Sequence, residues 1–211
     1  MPKGGFFMMA TVCFLHLLER CRNGGEVELV SSDIYNDIGL SWDDLSTLDQ
    51  RRVYEPNEGW YWDGSGEVNA VTWGGCLESI DEMLRHDVPL PTLKAFEEIV
   101  LFVETSEEMP SADYVFRVYR ALGERGILSR LRGVLVGRPK AWEFDHPLTA
   151  EQKRGYRAAQ RKVTLDAIRR YNSMIPIVQN LDFGHTDPQI CLPVGMPVRI
   201  NTTTRQIVAH F

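Results

Sequence analysis

The stretch Ile99-Val100-Leu101-Phe102-Val103-Glu104 decides the fold, because five consecutive apolar residues end abruptly in a carboxylate. A short apolar run of this kind is typical of a strand that is buried on both faces of a sheet. Such strands belong to α/β proteins, which place functional side chains where strands end. The sequence therefore predicts an α/β fold with Glu104 at a strand end, although a carboxylate that caps the next turn fits the spacing equally well.

A histidine follows a second apolar segment near the end of the chain. His185 closes the sequence Leu181-Asp182-Phe183-Gly184-His185, and the glycine before it permits a tight turn that exposes the ring. A carboxylate that orients an imidazole, and an imidazole that accepts a hydroxyl proton, are two of the three groups of a hydrolase triad. We therefore predict that Glu104 and His185 form an acid–base pair. The alternative for His185 is a core histidine that is satisfied by backbone groups.

No serine of the sequence lies on a turn that would activate it. Gly64-Ser65-Gly66 lacks the strand–turn–helix context of a nucleophile elbow, and Ser111 lies where it would cap a helix. Cys76 is predicted at a helix N-terminus, where the pKa of a thiol falls. A cysteine hydrolase built from Cys76, His185 and Glu104 is therefore an alternative. The favoured interpretation is a serine hydrolase whose serine belongs to a preceding domain.

Strands and helices alternate along most of the chain. Gly74-Gly75, between a strand and a helix, would let the backbone approach a neighbour or a ligand. The long basic helix over 149–171 is predicted to expose its charged face to solvent. The sequence predicts strands at 26–30, 67–73, 99–104, 133–137, 175–178, 192–195, 197–200 and 206–209, and helices at 8–22, 76–85, 149–171 and from Pro110 onward.

Composition narrows the classes of function. Of the 211 residues 44% are hydrophobic and 25% charged, and the net charge of −6 argues against nucleic acid as a partner. No window approaches the ~20 apolar residues that a membrane-spanning helix requires, and the apolar N-terminal stretch lacks a signal-peptide cleavage site. The four cysteines are widely spaced, which excludes neither a disulfide nor a metal but favours reduced, buried thiols. We therefore expect a cytoplasmic protein without membrane or nucleic-acid partners.

Several segments together resemble the family of LD-carboxypeptidases and microcin C self-immunity proteins, which are serine peptidases that need no metal. The resemblance covers residues 66–200, with a fainter similarity over 26–65. It is carried by Trp73-Gly74-Gly75-Cys76-Leu77-Glu78, Val100-Leu101-Phe102-Val103-Glu104, the helix from Tyr114 to Leu122, Gly133-Val134-Leu135-Val136-Gly137-Arg138, Phe183-Gly184-His185 and Leu192-Pro193-Val194-Gly195.

This resemblance implies a fold and a division into domains. Residues 66–211 would form the family's C-terminal domain, a swivelling β/β/α unit with a mixed or barrel-like sheet and flanking helices. Residues 1–65 would be a remnant helix of the upstream domain followed by an aromatic-rich linker. The family's N-terminal flavodoxin-like domain, which carries the serine, would be missing.

The resemblance also implies roles for particular residues. Glu104 matches the family's orienting glutamate, and His185 matches its general base. The segment Gly74-Gly75-Cys76 matches one that lines the substrate cleft. Trp42 lies in an aromatic region that resembles the microcin-immunity branch, whose members can stack a nucleobase on an aromatic ring. The implied partners are a peptide or peptidyl-nucleotide substrate, the serine-bearing domain and a second copy in a homodimer, without a cofactor.

The expected activity is hydrolysis of an amide or peptide bond next to a free carboxylate. Because the loss of one triad member lowers kcat by roughly 10⁴- to 10⁶-fold, we expect the chain to be inactive alone. The alternative is a non-catalytic binding module, or the remnant of a truncated or split gene. The residues leave the substrate open between a muropeptide, a peptidyl nucleotide and another amide.

Overall fold

The computed structural model describes residues 24–41 and 43–211, so the helix predicted at 8–22 lies outside the described residues, as does Trp42. None of the helices in the described part has the length and apolar character needed to cross a membrane. The strands are β1 (Glu26–Leu29), β2 (Ile34–Tyr35), β3 (Glu55–Pro56), β4 (Tyr61–Asp63), β5 (Glu67–Cys76), β6 (Ile99–Glu104), β7 (Gly133–Gly137), β8 (Ile177–Leu181), β9 (Pro197–Asn201) and β10 (Gln206–His210). The helices are α1 (Leu77–Arg85), α2 (Ala112–Glu124) and α3 (Ala150–Arg169), with short 3-10 turns at Leu45–Asp49, Ala95–Glu98 and Leu128–Arg130.

The main sheet has eight strands in the order β1-β10-β9-β5-β6-β7-β8-β4. The central strands β5, β6, β7 and β8 run parallel, and the remaining neighbours pair antiparallel. This mixed sheet with flanking helices confirms the predicted α/β fold. Both β1 and β4 precede residue 66 and still belong to this sheet, and the predicted domain boundary at that residue stays a prediction.

Strand β6 is buried on both of its faces, as its apolar run predicts. Leu101 and Val103 face a cluster formed with the helices, which includes Leu77 of α1 and Leu122 of α2. The alternate residues of β6 contact a second cluster on the opposite face of the sheet. Because side chains alternate along a strand, one apolar run supplies both cores and fixes β6 in the centre of the sheet.

The glycine pair lies inside a strand rather than in a turn after it. Strand β5 continues through Gly74-Gly75 and ends at Cys76, and α1 begins only at Leu77. The φ angle of Gly74 is +150°, and a Cβ atom there would lie 1.8 Å from the carbonyl oxygen of Phe102. Only glycine lets the backbone approach β6 this closely.

The strand predicted at residues 192–195 does not form in the structure.

The prediction that helix α3 exposes its charged face is wrong for Lys153 and Arg157. Both side chains are buried and form ion pairs with the buried carboxylate of Asp37, with the Lys153 Nζ atom 2.6 Å from one of its oxygens. Arg157 also donates a hydrogen bond to the hydroxyl oxygen of Tyr35, 2.6 Å away. These contacts hold the irregular segment before β4 against the helix.

Candidate active site

Glu104 and His185 meet beyond the carboxyl ends of the parallel strands. Glu104 is the last residue of β6 and lies opposite Cys76, the last residue of β5. His185 follows β8 by four residues, and its Nδ1 atom lies 2.7 Å from the Oε2 atom of Glu104. The carboxylate is 11% exposed and the imidazole 36% exposed, so the ring reaches the protein surface while its partner is held beneath it. The structure thus brings together the two residues that were predicted to form an acid–base pair.

Two glycines make room for this carboxylate. Gly184 has a φ angle of +101°, and a Cβ atom there would lie 2.6 Å from the Oε2 atom of Glu104. On β7, a Cβ atom at Gly137 would lie 2.8 Å from the Cβ atom of Glu104. The turn that carries His185 can therefore cross the end of β6 only because these positions have no side chain.

A buried ion pair holds the histidine turn on both sides. The guanidinium group of Arg138 donates to the carboxylate of Asp182 and to the hydroxyl oxygen of Thr186, the latter 3.2 Å away. Asp182 is fully buried and also accepts hydrogen bonds from the Ser32 hydroxyl at 2.7 Å and the Trp60 indole at 3.3 Å. Because Asp182 and Thr186 flank His185 in the chain, these bonds fix the turn from which the ring projects.

A second carboxylate contacts the other ring nitrogen. The Oε2 atom of Glu107 lies 2.7 Å from the Nε2 atom of His185 in an ion pair. Glu107 belongs to the turn after β6, in which Ser106 donates from its backbone N–H and its hydroxyl to the Glu78 carboxylate, at 3.0 and 2.8 Å. Neither Glu107 nor Glu78 was predicted as a site residue, since an exposed glutamate on a turn and a half-buried one in the first turn of α1 carry no distinctive periodic signal.

These neighbours favour the cationic form of the imidazole. The hydrogen bond with Glu104 is the largest cause that raises the pKa of His185 above its usual value, and the charge of Glu107 acts in the same direction. Burial and the nearby ammonium group of Lys140 oppose the rise. The Glu107 carboxylate, 2.7 Å from Nε2, favours a proton on that nitrogen, so both glutamates act toward the imidazolium form.

The thiol of Cys76 lies beside this pair but is poorly suited to act as a nucleophile. Its Sγ atom donates a hydrogen bond to the Oε2 atom of Glu78, 3.1 Å away. Burial, followed by this bond, raises the pKa of the thiol to about 11. The prediction that a helix N-terminus lowers the pKa of this thiol is therefore wrong, and the cysteine-hydrolase alternative gains no support.

The remaining predicted site residues differ in their surroundings. At Gly75, next to Cys76, a Cβ atom would meet nothing within 4 Å, so open space lies there, whereas Gly74 packs on the backbone of β6. Over 24–41 and 43–211, no serine hydroxyl bonds to His185, and no group of three or more His, Cys, Asp or Glu residues is placed to hold a metal ion.

Three comparisons relate this chain to known proteins. The family described as LD-carboxypeptidase C-terminal domain matches residues 69–200. A putative carboxypeptidase of Treponema pallidum (strain Nichols) is 28% identical over 187 residues, which are 88% of this chain and 49% of the relative. The microcin C7 self-immunity protein MccF of Escherichia coli is 21% identical over 194 residues, 92% of this chain and 51% of the relative.

The solved structures show the same fold. An MccF-like protein from Streptococcus pneumoniae, solved in complex with AMP, has a TM-score of 0.73 and 26% sequence identity, and the match covers 92% of this chain and 56% of that chain. MccF in complex with aspartyl sulfamoyl adenosine has a TM-score of 0.67 and 18% identity, with 89% and 50% covered. The chain thus spans about half the length of the curated relatives that it matches. Since the family match extends over more than half of its residues, the chain belongs to the LD-carboxypeptidase C-terminal domain family.

Proposed function

We propose that this chain supplies the general base and the orienting carboxylate of a serine carboxypeptidase-type hydrolase. The observation that carries the proposal is the 2.7 Å contact between Nδ1 of His185 and Oε2 of Glu104, at strand ends and with the ring at the surface. A carboxylate on Nδ1 fixes the tautomer of a neutral imidazole and stabilises the cation that forms when Nε2 accepts a proton. Family membership supports the same reading.

In the proposed mechanism the nucleophile is a serine of another domain. Its hydroxyl transfers a proton to Nε2 of His185 while the serine oxygen attacks the carbonyl carbon of an amide bond. The imidazolium ion, held by Glu104, then gives its proton to the leaving amine as the carbon–nitrogen bond breaks. A water molecule, deprotonated at Nε2, releases the acyl group and restores the serine.

For the substrate we propose an amide bond next to a free carboxylate, with a peptidyl nucleotide as the class to examine first. The complexes of an MccF-like protein with AMP and of MccF with aspartyl sulfamoyl adenosine support this choice. The open space at Gly75, beside Cys76 at the strand ends, is where we place the substrate. Trp42 remains the proposed aromatic contact for the nucleobase of such a substrate.

The experiment is to supply a serine-bearing domain to this chain. The part of the streptococcal relative that this chain does not match is fused to this chain or mixed with it, and the product is assayed against a peptidyl nucleotide and a muropeptide. We expect His185→Ala and Glu104→Ala to lower kcat by roughly 10⁴- to 10⁶-fold. His86→Gln is the control, because that histidine pairs with Glu82 on the surface of α1.

The possible results distinguish the proposed roles from the alternatives. Undiminished turnover in either site variant would refute the proposed roles. An inert wild-type fusion, alongside an active full-length relative, would favour the alternative of a non-catalytic module. Used alone, the chain should resist labelling by a fluorophosphonate probe, and labelling of any of its serines would place the nucleophile within this chain.

A further inference from the structure

The nitrogen that the proposed mechanism needs free is already paired. The Glu107 carboxylate lies 2.7 Å from Nε2 of His185, the atom that would take the hydroxyl proton. A carboxylate in this position favours a proton on Nε2, and a protonated Nε2 cannot act as a base. We propose that Glu107 is a self-inhibitory group that shifts His185 toward its inactive cationic form until an incoming hydroxyl displaces it. This inference rests on the proposed function, since it assigns regulation to the same site.

The turn that carries Glu107 is fixed on both sides of that residue. On one side, the Glu78 carboxylate accepts two hydrogen bonds from Ser106. On the other, the backbone N–H of Glu108 donates to the Ser106 hydroxyl oxygen, 3.3 Å away. The Glu107 carboxylate therefore reaches the ring from a defined backbone position.

Exposure makes the contact reversible. The Glu107 side chain is 54% exposed, and ion pairs in such positions shift an equilibrium by only about 1.5- to 5-fold. The charged groups that face His185 are Glu104 from β6, Glu107 from the next turn and Lys140 from the segment after β7. Glu104 is held beneath the ring and Lys140 repels the cation, so Glu107 is the anion that can leave Nε2.

The first test uses the chain alone and needs no activity. Diethyl pyrocarbonate acylates unprotonated imidazole, and mass spectrometry of peptides gives the modification rate of His185. Below neutral pH we expect Glu107→Gln to raise this rate about 1.5- to 5-fold. The matched control is Glu108→Gln, which removes the same charge from the same turn without a contact to the ring, and it should change the rate less. Equal rates in the two variants would overturn the proposal.

The second test uses the fused enzyme described above. Removing the Glu107 charge should extend the acidic limb of the kcat/KM profile to lower pH, because more of the base is then unprotonated. An unchanged limb would overturn the inhibitory role and leave the base assignment intact. A faster acylation of His185 in Glu107→Gln, combined with full activity of His185→Ala, would instead refute the proposed function while retaining the contact.

Discussion

Replacing Gly184 by alanine should lower the stability of the protein and also displace the Glu104 carboxylate that contacts His185. The glycine has a φ angle of +101°, which L side chains rarely adopt. The added Cβ atom would also lie 2.6 Å from Oε2 and 2.9 Å from Cβ of Glu104. The substitution therefore strains the backbone and drives a methyl group into the carboxylate that orients His185.

The two effects can be separated in magnitude. A side chain in a sparsely populated backbone region costs about 1–3 kcal/mol. Overpacking adds about 1–3 kcal/mol when the neighbour must shift. Gly195 provides the matched control, because its φ angle is +74° and a Cβ atom there meets nothing within 4 Å. Gly195→Ala should therefore show the backbone strain alone, and Gly184→Ala should lose about 1–3 kcal/mol more.

Urea denaturation followed by tryptophan fluorescence gives both free energies of unfolding, since the chain has five tryptophans. The NMR resonances of the imidazole report the site separately. They should shift in Gly184→Ala, which displaces the Glu104 carboxylate, and stay unchanged in Gly195→Ala. Equal destabilisation of the two variants, with the histidine resonances intact in both, would refute the claim that Gly184 is needed to admit this carboxylate.

Two further predictions concern charge. Asp37→Asn should lower the free energy of unfolding by about 3–5 kcal/mol in urea denaturation, because it leaves Arg157 buried without its anion and Lys153 with the Glu55 carboxylate alone. A loss below about 1 kcal/mol would contradict this. The folded pKa of His185 is raised, so its contribution to stability is complete below the unfolded value of about 6.5 and is lost as the pH rises through the folded value. The difference in unfolding free energy between the wild type and His185→Gln should therefore shrink from about pH 6 to about pH 9. The change should be no more than about 1 kcal/mol, because the ring is partly exposed. A difference that grows with pH would show that the pKa of His185 is not raised by folding.

The sequence pattern predicted the structure correctly where a segment's own side chains determine its burial. The apolar run that ends in Glu104 is strand β6, buried on both faces and with the carboxylate at its end, as predicted. The glycine before His185 was expected to form a tight turn, and its φ angle requires one. Both features depend on neighbouring residues in the chain, which a periodicity argument can read.

Contacts between distant segments could not be read in this way. Helix α3 is polar enough to suggest a fully solvated charged face, yet Lys153 and Arg157 are buried on Asp37, whose segment shows no apolar periodicity. Glu107 was missed for a related reason. Its role depends on a turn geometry fixed by Glu78, and that geometry leaves no trace in the order of residue types.

The contacts that orient His185 also account for the proposed inhibition by Glu107. Glu104 and the bonds of Arg138 that hold the histidine turn all come from this chain, so the ring is oriented before any substrate arrives. The Glu104 carboxylate stabilises the cationic form of the ring. Because the ring is partly exposed, this cation also attracts the carboxylate of Glu107. The contact with Glu107 follows from that attraction. In the proposed mechanism an incoming hydroxyl would displace the Glu107 carboxylate, which would couple the activation of His185 to the docking of the serine.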